Sequence, residues 1–509
     1  MSGLTQLARL GGGGAVPLAA VSDLAWSDFA AAVVLAVERG LRVVAYFGTA
    51  AAGGGVELHA VLADDRAGNV AVAATVIEGG TFPSLTSDVP QVHLFEREIA
   101  EQTGLRPEGH PWLAPVRFHG SYRAGHDAWG RPEGEPILPG DLDFYRVEGE
   151  EVHEVAVGPV HAGVIEPGHF RFQCHGEEVF HLEISLGYQH RGAERAVAGG
   201  PDTRTIHYLE TVAGDTTAGH ATAYCEALEA LSGCAVPPRA QALRAVALEL
   251  ERVASHVGDL GALAGDVGFL PSASFCGRIR GDFLNLTAEI CGSRFGRGLL
   301  RPGGVGFDLE PAQLARLRER LERAATDARV AIELLWETPS VMARFEATGA
   351  LPGVVAQLLG LKGPSARACG LDLDARRDHP TGLYRSRHIP VALAESGDVY
   401  ARAYVRWLEI QHSLTFLREE LGALPAGPVR AATNGLAPRH LAVSLVEGWR
   451  GEICHVAITD ARGAFSRYKI VDPSFHNWSG LAYALRGQQI SDFPLCNKSF
   501  NLSYCGHDL

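Results

Sequence analysis

The chain has 509 residues, 46% of them hydrophobic and 20% charged, which describes a globular protein with ample core and a length for about two or three domains. Its net charge of -14 excludes a nucleic-acid binder, which needs a basic face. No apolar run approaches the roughly 20 residues of a bilayer span, and "MSGLTQLARLGGGGAVPL" lacks a basic stretch followed by a sustained apolar one, so no secretory leader is expected.

In chain order, "SDFAAAVVLAVERG" predicts a helix starting near Ser27. Three strand-like runs follow, "RVVAYFGT", "GVELHAVLAD" and "NVAVAATVI", separated by turn residues. "HLFEREIAEQTGL" predicts a short amphipathic helix, completing a small α+β module over residues 1–119. Residues 120–150 are rich in Gly, Pro and Asp ("GRPEGEPILPGDLDF"), the composition of a linker. Beyond it, "EEVFHLEISLGY" alternates as a strand does.

The middle of the third segment, 151–509, is helical. Leu243, Val246, Leu250, Val253, Val257 and Leu260 recur every three or four residues and form one apolar stripe suited to a bundle core. "PAQLARLRERLERAATDARVAIELLWE" and "GDVYARAYVRWLEIQHSLTFLREEL" predict two further long helices. Strands return in "HLAVSLVEG", "EICHVAITD" and "RYKIVD", before a short helix and a polar tail. The expected fold class is therefore α+β, a small N-terminal α+β domain followed by a large, mainly helical bundle carrying small sheets.

The nine cysteines (Cys174, Cys225, Cys234, Cys276, Cys291, Cys369, Cys454, Cys496 and Cys505) include no C-x-x-C pair. Scattered in this way they predict small buried hydrophobes rather than an iron–sulfur site, which needs clustered thiolates. A zinc site of Cys496, Cys505 and His507 matches no standard spacing. No phosphate-cradling or dinucleotide fingerprint lies in a strand–turn–helix context.

Two stretches carry a family resemblance. Residues 82–118 pair a Glu96-Arg97-Glu98 helix with a Gly109-His110-Pro111 loop and resemble the C subunit of respiratory complex I. From "GPVHAGVIEPGHFRFQCHGEEVFHLEISLGYQHRGAER" through "ELERVASHVGDLGALAGDVGF", "VEGWRGEICHVAITD" and "YKIVDPSFHNW" to "ISDFPLCNKSFNLSY", the chain resembles the D subunit of complex I. It is still more similar to the large subunit of membrane-bound nickel–iron hydrogenases of the formate hydrogenlyase type, in which both modules are fused.

The resemblance implies a metal site that this sequence does not complete. Hydrogenases of that family hold nickel and iron through two C-x-x-C pairs. "TVAGDTTAGHATAYCEALEAL", residues 211–231, matches the first ligand loop through Val212, Gly214 and His220, and places its cysteines on Ala213 and Thr216. The second pair falls on Ser503 and Gly506, counted from "SDFPL", or on Ser474 and Asn477 if "DPSFHN" is taken instead. Cys505 is one position off and is expected to point elsewhere. Under either alignment no thiolate remains, and Ala, Thr, Ser and Gly cannot hold a soft nickel–iron pair, so no metal and no hydrogen turnover are expected.

The surrounding shell is kept. Glu166 in "EPGHFRF" matches the glutamate that relays protons in hydrogenases, with His169 and Arg171 completing the element; a salt bridge at a strand end explains Glu166 equally well. His220 matches the histidine after the first pair, and Arg450 in "EGWRGE" the arginine that leans over the metals. His190, Arg191 and Glu194 match a segment near the cavity. On the complex I side, a tyrosine on the first loop serves quinone; here Gly214 takes its place.

The resemblance implies a subunit of a complex I-related oxidoreductase on the cytoplasmic, inner face of the membrane. It would bind no cofactor itself and would dock a small iron–sulfur (B-subunit-like) partner together with antiporter-like and other membrane subunits. A quinone-like acceptor is one expectation, with Glu166, His169 and Arg450 in catalytic roles. A non-catalytic scaffold or coupling subunit is the alternative.

Overall fold

A computed structural model describes residues 7–509 apart from 12, 52, 133 and 162–164. The start of the chain, read above as lacking a leader, lies partly outside the described residues, as does part of the "GPVHAGVIEPGHF" stretch.

Two strands open the chain, β1 (Ala8–Gly11) and β2 (Gly14–Pro17), and part company at once. With β3 (Arg42–Ala50), β4 (Val56–Asp64) and β5 (Asn69–Ile77), β1 forms an antiparallel sheet in the order β1-β5-β4-β3. Helices α1 (Trp26–Glu38) and α2 (His93–Thr103) pack on this sheet. Short β6 (Thr81–Pro83) and β7 (Arg106–Glu108) pair in parallel on either side of α2.

No helix or strand occurs among the described residues between β7 and β8 (Val152–Val157). This stretch is nevertheless tied down: Tyr145 N donates to Glu183 Oε2 at 2.8 Å and Val147 N to Gln173 Oε1 at 3.4 Å. Those acceptors belong to β9 (His169–His175) and β10 (Glu178–Ser185), which complete an antiparallel sheet β10-β9-β8.

Short α3 (Ala193–Val197) and α4 (Thr205–Leu209) lead to α5 (Thr217–Ser232) and to the long α6 (Pro238–Asp266). The apolar stripe on α6 is fully buried, from Leu243 to Leu260. It packs against α7 (Leu270–Cys291) and, after the small hairpin β11 (Leu300–Arg301) and β12 (Gly304–Val305) and the helix α8 (Pro311–Trp336), against α13 (Val399–Gly422). Four short helices intervene before α13: α9 (Pro339–Phe345), α10 (Gly353–Leu358), α11 (Gly363–Arg367) and α12 (Ala375–Asp378).

The C-terminal strands β13 (His440–Gly448), β14 (Gly451–Thr459) and β15 (Phe465–Val471) form the third large sheet, in the order β15-β14-β13-β2. Its fourth strand comes from the chain's beginning, with Val16 opposite Leu441 and Ala15 opposite Ala442. As a result Leu441, Val443, Leu445, Val456 and Ile458 share one core with Phe29, Val43, Val61 and Phe95. Helix α5 covers the sheet's other face, where Ala442, Val446, Ile453 and Ala457 join the core of the helical body.

Three helices close the chain: α14 (Pro473–Ala484), α15 (Phe493–Phe500) and α16 (Tyr504–Asp508). The expected polar tail is instead helical and buried. Asp508 accepts from Gly187 N and Gln189 N, both at 2.8 Å, and Leu509 O accepts from Arg191 N at 3.0 Å. The architecture is α+β, small sheets set in a mostly helical framework. No helix of the described residues is long and apolar enough to cross a membrane.

Candidate functional site

Two loops meet where the sequence placed the substituted ligand positions. The first joins α4 to α5. Its Gly214, Asp215 and Thr216 favour turns over helix, and Thr216 N closes the turn on Ala213 O at 3.0 Å before α5 begins. The second joins α15 to α16. Asn501 ends α15 in the left-handed region, and the Ser503 hydroxyl starts α16 by accepting from Gly506 N at 2.9 Å.

Arg191 staples the loops together. Its guanidinium donates to Thr211 O (2.6 Å) and Val212 O (2.9 Å) on the first loop and to Cys505 O (3.4 Å) on the second. Cys505 does not point elsewhere. Its sulfur lies 3.4 Å from Ser503 Oγ and against the Gly214 backbone and the Glu166 carboxylate. Burial, with the Glu166 charge beside it, pushes this thiol up to about 11, so it is protonated near neutral pH. Glu166 Oε1 also accepts from Cys505 N at 3.4 Å.

Arg450 crosses from the β13–β14 turn to the first loop. It forms a two-pronged ion pair with Asp215 (2.6 and 2.9 Å), donates to Thr216 Oγ1 at 3.2 Å and to Asn501 O at 2.6 Å, and stacks on the Trp449 ring at 3.8 Å. Burial raises the Asp215 carboxyl, but the Arg450 guanidinium outweighs it and holds the group below the usual range. Such fork-to-fork pairs are the strongest of their kind.

A chain of hydrogen bonds leads inward from the second loop. Asp472 Oδ2 takes His220 Nε2 at 2.9 Å, His220 Nδ1 meets His455 Nε2 at 3.1 Å, and His455 Nδ1 meets the Tyr468 hydroxyl at 2.9 Å. All four groups are buried. Against burial, the bond and charge of His220 hold Asp472 low, whereas burial and then His220 hold His455 far below its ordinary value. A carboxylate only accepts, so His220 Nε2 donates to Asp472; beside a neutral His220 the donors then run from Tyr468 to His455 to His220, and beside a charged His220 those two bonds reverse. That arrangement can shift a proton toward Asp472.

The donor set does not fit a nickel–iron centre. Ala213, Thr216, Ser503 and Gly506 bring no thiolate, Cys505 is a neutral thiol, and the Arg450–Asp215 pair spans the gap beside Thr216. A Cβ added at Gly506 would stand 2.7 Å from Asp472 Cγ. Among the described residues no three His, Cys, Asp or Glu side chains are grouped as a metal site, which leaves Cys496, Cys505 and His507 without a shared ion.

Glu166, Gly214, Thr216, His220, Arg450, Ser503 and Gly506 are thus brought into one contact network, with Ala213 contributing its carbonyl. His169 and Arg171 find partners elsewhere. His169 Nδ1 lies 3.2 Å from Gly158 O, and Arg171 pairs with Glu154 at 2.9 Å and covers Phe144 at 4.2 Å. His190 is held by Asp508 O at 2.7 Å, and Glu194 enters an ion cluster with Lys469 and Arg467. Sequence reasoning missed Asp215, Trp449, Asp472, His455 and Tyr468. Asp215 was visible as the one carboxylate inside a loop of small residues, and Asp472 stood in the "DPSF" stretch weighed only for its ligand spacing.

Comparison with known proteins shows the family. Residues 266–441 match the family model of the respiratory-chain NADH dehydrogenase, 49 Kd subunit. The chain is 33% identical over 350 residues to the carbon monoxide-induced hydrogenase of Rhodospirillum rubrum, covering 69% of this chain and 97% of that protein. It is 29% identical over 436 residues to formate hydrogenlyase subunit 5 of Escherichia coli, covering 83% and 76%. It is 31% identical over 369 residues to NADH-quinone oxidoreductase subunit 4 of Thermus thermophilus, covering 67% and 90%. The chain therefore belongs to the family that unites the 49 Kd subunit of respiratory-chain NADH dehydrogenase with the large subunits of formate hydrogenlyase-type hydrogenases.

Proposed function

We propose that this chain is the hydrogenase-like large subunit of a complex I-related, membrane-associated oxidoreductase that works without a nickel–iron centre. Electrons arrive from an iron–sulfur cluster in a small partner subunit and pass to an acceptor of quinone-like chemistry, and membrane subunits of the antiporter type couple the reaction to ion movement. The observation that carries this reading is the pairing of lost and kept chemistry at the two loops. The four positions that the resemblance gives to thiolates carry Ala213, Thr216, Ser503 and Gly506, and the groups to which this reading gives proton transfer, Glu166, Asp472, His220 and His455, lie in contact with those loops or one bond behind them.

The site also has an open side. Gly214, Asp215, Glu166 and Cys505 are partly exposed whereas Thr216, Arg450, His220 and Asp472 behind them are buried. A side chain starting at Gly214 would meet nothing within 4 Å. In this reading that side faces the acceptor and the iron–sulfur partner, while the Arg450–Asp215 pair holds the first loop in place behind it.

The test is purification of the assembled complex, with analysis for Ni, Fe and Zn and measurement of electron transfer to a water-soluble quinone. Nickel is expected to be absent. Asp472→Asn and Glu166→Gln are each expected to slow turnover by about tenfold to a thousandfold, the range of a lost proton-transfer group. Stoichiometric nickel on this chain, with hydrogen-dependent dye reduction, would overturn the metal-free reading; full activity in both variants would leave the scaffold role.

A further inference from the structure

Glu96, Arg97 and Glu98 lie on helix α2, and both carboxylates have close polar partners. Glu96 accepts from Leu85 N and Thr86 Oγ1, both at 2.7 Å, and Glu98 is held by Lys469 and Arg117. Arg97 differs. It is buried, donates to the carbonyls of Ala114 and Pro115 at 2.8 Å, and makes no ion pair among the described residues. Burial brings it down to about 10 although the nearby Glu101 and Glu183 charges oppose the fall, so its charge is only partly balanced.

The Gly109-His110-Pro111 loop completes the setting. His110 Nε2 donates to His93 O at 3.1 Å, which leaves Nδ1 to accept from Trp112 N at 3.0 Å. Trp112 is thereby laid over Arg97, with the guanidinium carbon 4.7 Å from the ring centre.

Beneath this lid is a cavity of about 80 Å³, lined among others by Arg97, Trp112, Glu183, Ser185, Trp478 and His507. Three buried polar atoms of these lining residues have no hydrogen-bond partner among the described residues: Glu183 Oε1, Ser185 Oγ and Trp478 Nε1. The indole N–H can only donate, and the hydroxyl can donate. His93 and His507 are kept neutral chiefly by burial, His93 at about 3, so Arg97 is the one cation among the described residues of the cavity wall. Burial pushes Glu183 up to about 7, which lets it stand as a neutral acid beside a bound anion. A single water needs roughly 10–15 Å³ of such space, so the cavity has room for a ligand of several heavy atoms and none for a nucleotide.

We propose that this cavity binds a small monovalent oxyanion of the carboxylate type, seated between the Arg97 guanidinium, the Trp478 indole N–H and the Ser185 hydroxyl. Water alone fills the space without balancing the buried charge; an anion satisfies the charge and the orphaned donors together. The site stands on different residues from the Arg450–Asp215 network and does not rest on the redox reading.

The experiment is fluorine NMR of the full-length chain carrying fluorotryptophan, with the two resonances assigned through Trp112→Phe and Trp478→Phe. Sodium acetate is titrated in at constant ionic strength, balanced with chloride. Both resonances are expected to shift saturably with one millimolar dissociation constant, and Arg97→Gln is expected to weaken binding by about tenfold or more. Should Arg97→Gln fail to fold, Ser185→Ala is expected to weaken binding severalfold. No saturable shift up to about 0.1 M acetate, or binding unchanged in the folded variants, would overturn the proposal.

Discussion

Gly506 shows how closely the second loop is fitted around Asp472. A Cβ there would lie 2.7 Å from Asp472 Cγ, 2.8 Å from its Oδ2 and 2.9 Å from Ser503 Oγ, all inside contact distance. Any larger residue, cysteine included, must push Asp472 off His220. Gly506→Ala is therefore expected to destabilise the chain by about 1–3 kcal/mol, the usual cost of overpacking, read as a lower urea midpoint with unchanged slope. An unchanged midpoint would show that Asp472 can give way freely.

Glu251, behind the first loop, carries a second prediction at this scale. Its oxygens accept from Ala218 N at 2.7 Å and Gly219 N at 3.1 Å. Burial, reinforced by the Asp215 charge, nonetheless raises it from 4.5 to about 8. Over that interval the folded chain binds a proton that the unfolded chain has lost, so stability falls as pH rises through it. The melting temperature of Glu251→Gln should accordingly drop less between about pH 5 and pH 8 than that of the parent; parallel curves would refute the assignment.

At the scale of elements, what could be read from the sequence was what local pattern dictates. The three-to-four spacing of Leu243 to Leu260 is a helix stripe wherever it occurs, and α6 buries it. The runs 42–50, 56–64 and 69–77 become β3 to β5 because β-branched and apolar residues are set between turn residues. Pairing at a distance leaves no such mark. Strand β2 is four residues long, follows a glycine run, and joins β13 more than four hundred positions away. "NLSYCGHDL" looks like a solvated tail until Gly187, Gln189 and Arg191 are found holding its carboxylate and carbonyl groups. The site divides in the same way: the substituted positions followed from motif spacing, whereas the Arg450–Asp215 pair and the Asp472–His220–His455–Tyr468 chain join three separate parts of the sequence, 215–220, 450–455 and 468–472. Because β2 covers the edge of β13 and Val16 packs on the shared core, Val16→Asp is expected to cost about 2 kcal/mol. Hydrogen exchange should accelerate at residues 440–443 and stay slow at 453–457, and equal protection at both would mean the edge strand contributes little.

At the scale of the whole molecule, one buried ion cluster joins the N-terminal sheet layer, the helical body and the C-terminal loop. Lys469 on β15 reaches Glu98 of α2 at 2.6 Å and Glu194 of α3 at 2.9 Å; Arg467 holds Glu194 at 2.9 Å and Arg117 holds Glu98. Arg117 then donates to His507 O at 2.8 Å, next to Gly506. Burial alone would raise both carboxyls, but the Lys469 charge and the two arginines hold them below the ordinary range. Their contribution to stability is thus present at neutral pH and lost as pH falls through their folded-state values. Removing one partner of a buried cluster costs more than removing the cluster, because it strands the charges that remain. Lys469→Met is therefore expected to destabilise by about 3–5 kcal/mol, with the acid-side loss of stability beginning at a higher pH, since the carboxyls left behind are held less low. Adding Glu98→Gln to Lys469→Met should recover part of that loss, because it removes a stranded charge and leaves Arg467 to serve Glu194. A double variant no more stable than Lys469→Met would mean that the lysine acts through packing on Phe475, which its ammonium approaches to 5.7 Å of the ring centre, and that the three parts of the molecule are held in register by apolar contact rather than by charge.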